Sequence, residues 1–270
     1  MQRKAVYAGS FYDARENSLL SSFKQWFSRA EIPSIPNQVY GLICPHAGYI
    51  YSGFCASHSY KLLQSKEFDT AVIIHPSHRG NHFGYSVSPY DEYLTPLGSL
   101  LLNHDISVQI QKGGGEEIDP AYHQAEHSME VQLPFLKYIR PDCKVVPIML
   151  GRQDSRTVMA LAENLSGLLT TGVVYIVSTD LSHYYPAETA KVMDGRIISA
   201  LETKNRDKLT IDTKSGNSEA CGIAGIQTLM ALAEKLTDDR FIKLYYTTSA
   251  EASGDSSQVV GYLSATLIRG

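Results

Sequence analysis

Six short apolar runs constrain this chain more than any other feature: residues 39–44, 71–74, 144–150, 173–177, 241–247 and 259–268. They are rich in β-branched residues and nearly continuous, the pattern of strands covered on both faces. Between them lie helical periodicities. Leu19, Leu20, Phe23, Trp26 and Phe27 recur at helix spacing after Asp13, and Val158, Leu161, Ala162, Leu165, Leu168 and Leu169 do so after Asp154. Further helices are expected over 188–201 and 221–236. Such alternation predicts a single three-layer α/β/α domain over 1–270 around a mostly parallel or mixed sheet. No linker divides the chain, because the richest glycine stretch, Gly113-Gly114-Gly115, is long enough only for a surface turn.

The strand ends carry the chemistry. The run ending at Cys44 leads into Pro45-His46-Ala47-Gly48-Tyr49, the run ending at Ile74 into His75-Pro76-Ser77-His78, and the run ending at Val177 into Ser178-Thr179-Asp180-Leu181-Ser182-His183. In an open α/β sheet, ligands bind in the crevice outside the carboxyl ends of the strands. A single histidine after a strand is ordinarily a hydrogen-bonded loop residue. Three at equivalent positions suggest a metal. His75 shares a turn with His78 and reads as a structural or supporting group, whereas His58, His82 and His104 are expected on the surface or in packing.

Two further segments join these loops. In Glu126-His127-Ser128-Met129-Glu130, Ser128 is expected to cap a helix, which leaves His127 to bind a substrate oxygen or move a proton. Cys221 is expected in the first turn of a helix, where the dipole would lower its thiol pKa and make it a ligand or nucleophile. Gly222 and Gly225 in that helix imply close approach of another group. Asp255, in Ser253-Gly254-Asp255, reads as a turn residue. The four cysteines show no Cys-x-x-Cys spacing and are expected as reduced thiols.

Composition removes other function classes. Lys plus Arg number 24 against 28 Asp plus Glu, with no basic block, so nothing supports nucleic-acid binding. No apolar run approaches the roughly 20 residues of a membrane span, and no signal-like segment is evident. The expectation is a cytoplasmic protein with small-molecule or peptide ligands and no membrane partner.

With these residues assembled, the chain resembles the Memo family, whose prokaryotic members are called AmmeMemoRadiSam system protein B. The matching segments are Ala8-Gly-Ser-Phe-Tyr12, Pro45-His46-Ala-Gly-Tyr49, Pro76-Ser-His78, Glu126-His-Ser-Met-Glu130, Ser178-Thr-Asp180-Leu-Ser-His183, Cys221-Gly222 and Ser253-Gly-Asp255. The resemblance implies a fold like that of the class III (LigB-type) extradiol dioxygenases, which hold non-heme iron with two histidines and a carboxylate. It implies His46 and His78 as imidazole ligands, Cys221 in the third ligand place, His183 as catalytic acid/base, His127 as a substrate contact and Asp180 as an orienting partner of His183. A thiolate in place of the carboxylate suits copper, zinc or a distinct iron site, so iron or copper is the expected cofactor. The family's animal relatives imply a peptide-adaptor role as the alternative to an oxidoreductase, and its name implies radical-SAM and AMMECR-type pathway partners. Metal-free catalysis by Cys221 and a histidine base is a third reading.

Overall fold

The computed structural model describes residues 1–35, 38–170 and 172–269. In chain order the elements are β1 (Gln2–Arg3), α1 (Glu16–Arg29), β2 (Val39–Cys44), α2 (Tyr49–Gln64), β3 (Thr70–Pro76), β4 (Tyr85–Val87), β5 (Glu92–Thr95), β6 (Gly98–Leu102), α3 (His104–Lys112), α4 (Pro120–Gln124), α5 (His127–Glu130), α6 (Leu133–Ile139), β7 (Lys144–Leu150), α7 (Ser155–Ser166), β8 (Val173–Ser178), β9 (His183–Tyr185), α8 (Ala187–Glu202), α9 (Arg206–Lys214), α10 (Ile223–Ala233), β10 (Asp239–Thr248), α11 (Ala250–Ser253) and β11 (Val259–Arg269).

One mixed sheet runs in the order β1-β5-β6-β7-β3-β8-β2-β11-β10. Its centre, β6-β7-β3-β8-β2, is parallel, while β11 and β10 extend one side antiparallel and β5 pairs antiparallel with β6 on the other. The near-continuous runs follow from burial of both faces. In β8, Val174 and Ile176 join the core built with α1, α2 and α6, whereas Val173, Tyr175 and Val177 join the core built with α7 and α10. β2 and β3 divide in the same way, with Leu42 and Ile73 on the first face and Ile43 and Ile74 on the second. This is the expected three-layer α/β/α arrangement.

β8 inserts between β2 and β3, pairing parallel with both. Three carboxyl ends therefore lie side by side, although their loops are 30 to 130 residues apart in sequence. β3 runs beyond the expected 71–74 because His75 and Pro76 continue its pairing with Met149 and Leu150 of β7. Among the described residues no helix is long and apolar enough to cross a membrane.

Capping separates two of the expected helix starts. Asp154 accepts from Thr157 N at 2.8 Å, as its position suggests. Asp13 does not cap α1: its carboxylate takes the backbone N–H and guanidinium of Arg15 instead, and the helix begins without a side-chain cap.

Candidate functional site

The loops after β2 and β3 bring His46 and His78 together, with ring centroids 5.2 Å apart, and His127 completes a trio at 5.4 Å from His46 and 4.5 Å from His78. The Cys221 sulfur lies 3.1 Å from His46 Nε2. The donor atoms of His46, His78 and Cys221 all fall within 4.8 Å of one another.

The hydrogen bonds fix which ring nitrogen faces the crevice. Ser178 Oγ donates its one proton to Ser128 O at 2.6 Å and accepts from Gln132 Nε2 at 2.9 Å. Its remaining bond, 2.9 Å to His46 Nδ1, therefore accepts an Nδ1–H, and the Nε2 lone pair of His46 points at the sulfur. The same logic holds for His78. Its Nδ1 lies 2.9 Å from Glu126 Oε1, an oxygen that can only accept, so its Nε2 is free. His127 Nδ1 stands 3.2 Å from that oxygen.

Glu126 is thus the residue that sequence reasoning passed over. It caps α5 in place of Ser128, accepting from Ser128 N at 3.0 Å, and also takes His78 N at 2.8 Å. Ser128 is unavailable as a cap because its hydroxyl donates to Pro76 O and accepts from His75 Nδ1. Burial alone would raise the Glu126 carboxyl, but the hydrogen bonds from the His78 ring and backbone N–H hold it well below the carboxylate range. A cluster of His78, Glu126 and His127 is close enough to ligate an ion. The bonding argues otherwise, since the carboxylate is already spent on the His78 ring, the His78 N–H and the Ser128 N–H, and serves to aim His78. The signal in the sequence was Glu126 standing directly before His127.

Cys221 is placed by backbone clamps. Its N–H donates to Asp180 O at 3.2 Å, its carbonyl accepts from Gln153 Nε2 at 2.6 Å, and Gly222 N donates to Thr179 Oγ1 at 2.9 Å. A Cβ on Gly222 would sit 2.7 Å from Ser178 O, and one on Gly225 3.0 Å from Val177 Cγ1. The group approached by these glycines is strand β8. α10 starts only at Ile223, so Cys221 lies in the turn ahead of it. The expected lowering of the thiol pKa is overturned: burial, and then the Asp180 carboxyl beside it, push the thiol well above its ordinary value.

Asp180 ties the two halves of the site. Its carboxylate accepts from His46 N at 2.7 Å and Ala47 N at 3.3 Å, and its N–H points at the Cys221 sulfur at 3.2 Å. Burial raises the carboxyl to about 7 against the lowering effect of those amides. Its bonds go to the His46 loop and not to the His183 ring. His183 stands apart from the trio, with its N–H on Glu219 at 2.7 Å and its Nδ1 3.8 Å from that carboxylate. Burial lowers its pKa, and it lowers that of His127 to about 4. His75 is buried in β3 behind the site, His58 is buried against Tyr245 with ring centroids 4.2 Å apart, and His82 and His104 are exposed. Asp255 is a turn residue bonded to Ser257, and all four cysteines are free.

The donor set fits a metal ion. Two imidazoles present Nε2 with Nδ1 tied to a hydroxyl or carboxylate, the usual arrangement behind ligating histidines. The nitrogen–sulfur separation of 3.1 Å is within reach of one ion bonded at roughly 2.0–2.3 Å to each. A buried thiol with a raised pKa also needs a neighbouring cation to become thiolate.

Fold and site together define an α/β/α protein with a cluster of histidines and a cysteine at the carboxyl ends of parallel strands. The Memo-like protein family matches residues 3–266. A MEMO1 family protein of Methanosarcina barkeri is 36% identical over 264 residues, covering 96% of this chain and 97% of its own length. MEMO1 family proteins of Thermoplasma acidophilum and Thermotoga maritima are each 35% identical, over 98% and 99% of this chain and 98% and 100% of their own. The chain belongs to the Memo family.

Proposed function

We propose that the crevice is a metal-dependent redox site in which His46, His78 and Cys221 hold iron or copper. The observation that carries this reading is the convergence of their donor atoms within 4.8 Å, with both Nδ1 positions already occupied by acceptors. A bound ion of this kind would supply electron transfer or Lewis-acid activation, and the thiolate favours copper(I), a distinct iron site or zinc over the oxygen-rich sites of harder cations.

The other residues follow from their surroundings. His127 is neutral near pH 7 and offers a ring-nitrogen lone pair to a substrate hydroxyl, held against Phe11 at 4.6 Å between ring centroids. His183, with its side chain 31% exposed, exchanges protons with solvent or substrate. Asp180 positions the His46 loop and the sulfur. Metal analysis of protein purified without chelator, set against a His46→Ala, His78→Ala, Cys221→Ala triple variant, tests the reading. Equal metal content in both sinks it.

One feature favours a second reading, in which the same crevice serves a peptide-binding adaptor. A cleft of about 770 Å³, lined by Phe11, Trp26, Tyr49 and Ile50, adjoins His127 through the Phe11 ring. Peptide titration against wild type and His46→Ala separates the two: an adaptor keeps its affinity without the metal ligand. Metal-free cysteine catalysis has less support, because the thiol is held protonated.

A further inference from the structure

Behind the trio lies an ion pair that the proposed chemistry does not use. Arg3 and Glu130 have side chains 1% and 0% exposed and meet at 2.6 Å. Every donor of the guanidinium is engaged. Nε goes to His123 O at 3.0 Å, Nη1 to Lys4 O at 3.2 Å and to Glu130 Oε2, and Nη2 to Gln124 O at 3.1 Å and Glu126 O at 2.8 Å. Every acceptor site of the carboxylate is engaged as well. Oε1 takes Tyr7 N and Tyr12 Oη, each at 2.7 Å, and Oε2 takes Arg3 and Val6 N at 3.1 Å. Five guanidinium hydrogens and four carboxylate lone pairs are the full capacity of the two groups.

The partners are not a random selection of nearby polar atoms. Three of the carbonyls that Arg3 holds belong to His123, Gln124 and Glu126, the stretch that leads from α4 into Glu126-His127. The amides that Glu130 holds belong to the 6–12 segment, which lays Tyr7 and Phe11 against the His127 ring at 5.6 and 4.6 Å. The position of Arg3 is itself set by the sheet, since β1 pairs with β5 in register Arg3↔Tyr93. One saturated pair therefore fixes the backbone on both sides of His127 and the origin of the Glu126 carboxylate.

We infer that Arg3 and Glu130 are positioning residues for the crevice, acting through the Glu126-His127 backbone and the Glu126 carboxylate to hold His78 with Nδ1 protonated and Nε2 free, and to hold the His127 ring in place. A lysine at position 3 keeps the charge but has three donors for five acceptors, so it must release at least two of them. The inference rests on the crevice being the functional site, but the ring orientation that it concerns exists without metal.

The test is long-range 1H–15N spectroscopy of the histidine rings in metal-free protein. Wild type is expected to show His78 as a single Nδ1–H tautomer. Arg3→Lys and Arg3→Met lose that single pattern at His78. Tyr12→Phe, which removes one donor from Glu130 and leaves the Arg3 carbonyls alone, lowers Tm but keeps it. Unchanged ring spectra in folded Arg3→Lys, with only a reduced Tm, overturn the inference and leave the pair as plain stabilisation; Arg3→Lys decides the matter if Arg3→Met does not fold. A cobalt(II) titration separates this from the metal reading. The Arg3 variants are expected to bind about tenfold more weakly than wild type, whereas a wild type that binds no cobalt sinks the metal site while the ring result still stands.

Discussion

The two flanks of the crevice are built on opposite terms. On the β2–β3 side, His46 is 2% exposed and Glu126 1%, and the nitrogens and oxygens that aim the rings are bonded to one another. On the β8–β9 side, His183 has 31% and Glu219 40% of the side chain in solvent. There Tyr184 is 71% exposed and adopts φ 64°, a left-handed conformation that a bulky residue seldom takes. It is also the extra residue of a bulge, because Tyr185 pairs with Val259 and His183 with Val260. The first flank fixes donor atoms before any ligand arrives. The second presents exposed side chains on strained backbone.

If that contrast is right, the interior flank should break hardest. Glu126→Ala leaves the N–H groups of His78 and Ser128 without an acceptor, and is expected to cost about 1–3 kcal/mol and to weaken metal binding by 10- to 100-fold. Chemical denaturation and metal titration measure both; a loss under 1 kcal/mol would show the carboxylate to be dispensable.

Acid should act on the same side. Burial holds His75 near 3, and His123 and His127 near 4, from an ordinary 6.5. Above pH 6.5 both folded and unfolded chains keep these rings neutral. Below it the unfolded chain takes up protons that the folded one refuses, so stability falls as pH drops from about 6.5 toward 3–4. By pH 5.5 the loss is about 1 kcal/mol for each ring. Thermal melts between pH 7 and 4.5 check this, and a flat profile would contradict it.

Gly222→Ala probes the seam between the flanks. The new methyl meets Ser178 O and Thr179 Cβ, both at 2.7 Å, so α10 and Cys221 must shift at about 1–3 kcal/mol. Metal affinity is expected to fall with stability. Tyr184→Gly should give the smallest effect and the opposite sign: it releases left-handed strain worth about 1–2 kcal/mol and raises Tm by about 2–4 °C per kcal/mol. A lower Tm would mean that the ring contributes packing which outweighs the strain.

The fold was largely legible because burial on both faces leaves a compositional mark. The strands at 39–44 and 144–150 begin and end where their apolar runs do, and His46 and His78 follow their strands as the alternation predicts. Short elements such as β4 and β9, of three residues each, leave no period to detect. Nor does sequence spacing show that β8 enters between β2 and β3. The bonds that aim the site are equally hidden: His78 meets Glu126 across 48 positions and His46 meets Ser178 across 132. A carboxylate that aims a ring and one that merely caps a helix read alike until the chain is folded.

The 127 positions between Arg3 and Glu130 also set an order of events. At a synthesis rate of roughly 5–20 residues per second, the guanidinium waits on the order of ten seconds for its carboxylate to leave the ribosome. Until then β1 has only its pairing with β5 to hold it, and the β2 and β3 loops wait longer still for the sulfur at position 221. Assembly of the crevice is therefore a late step, paced by translation instead of by local collapse.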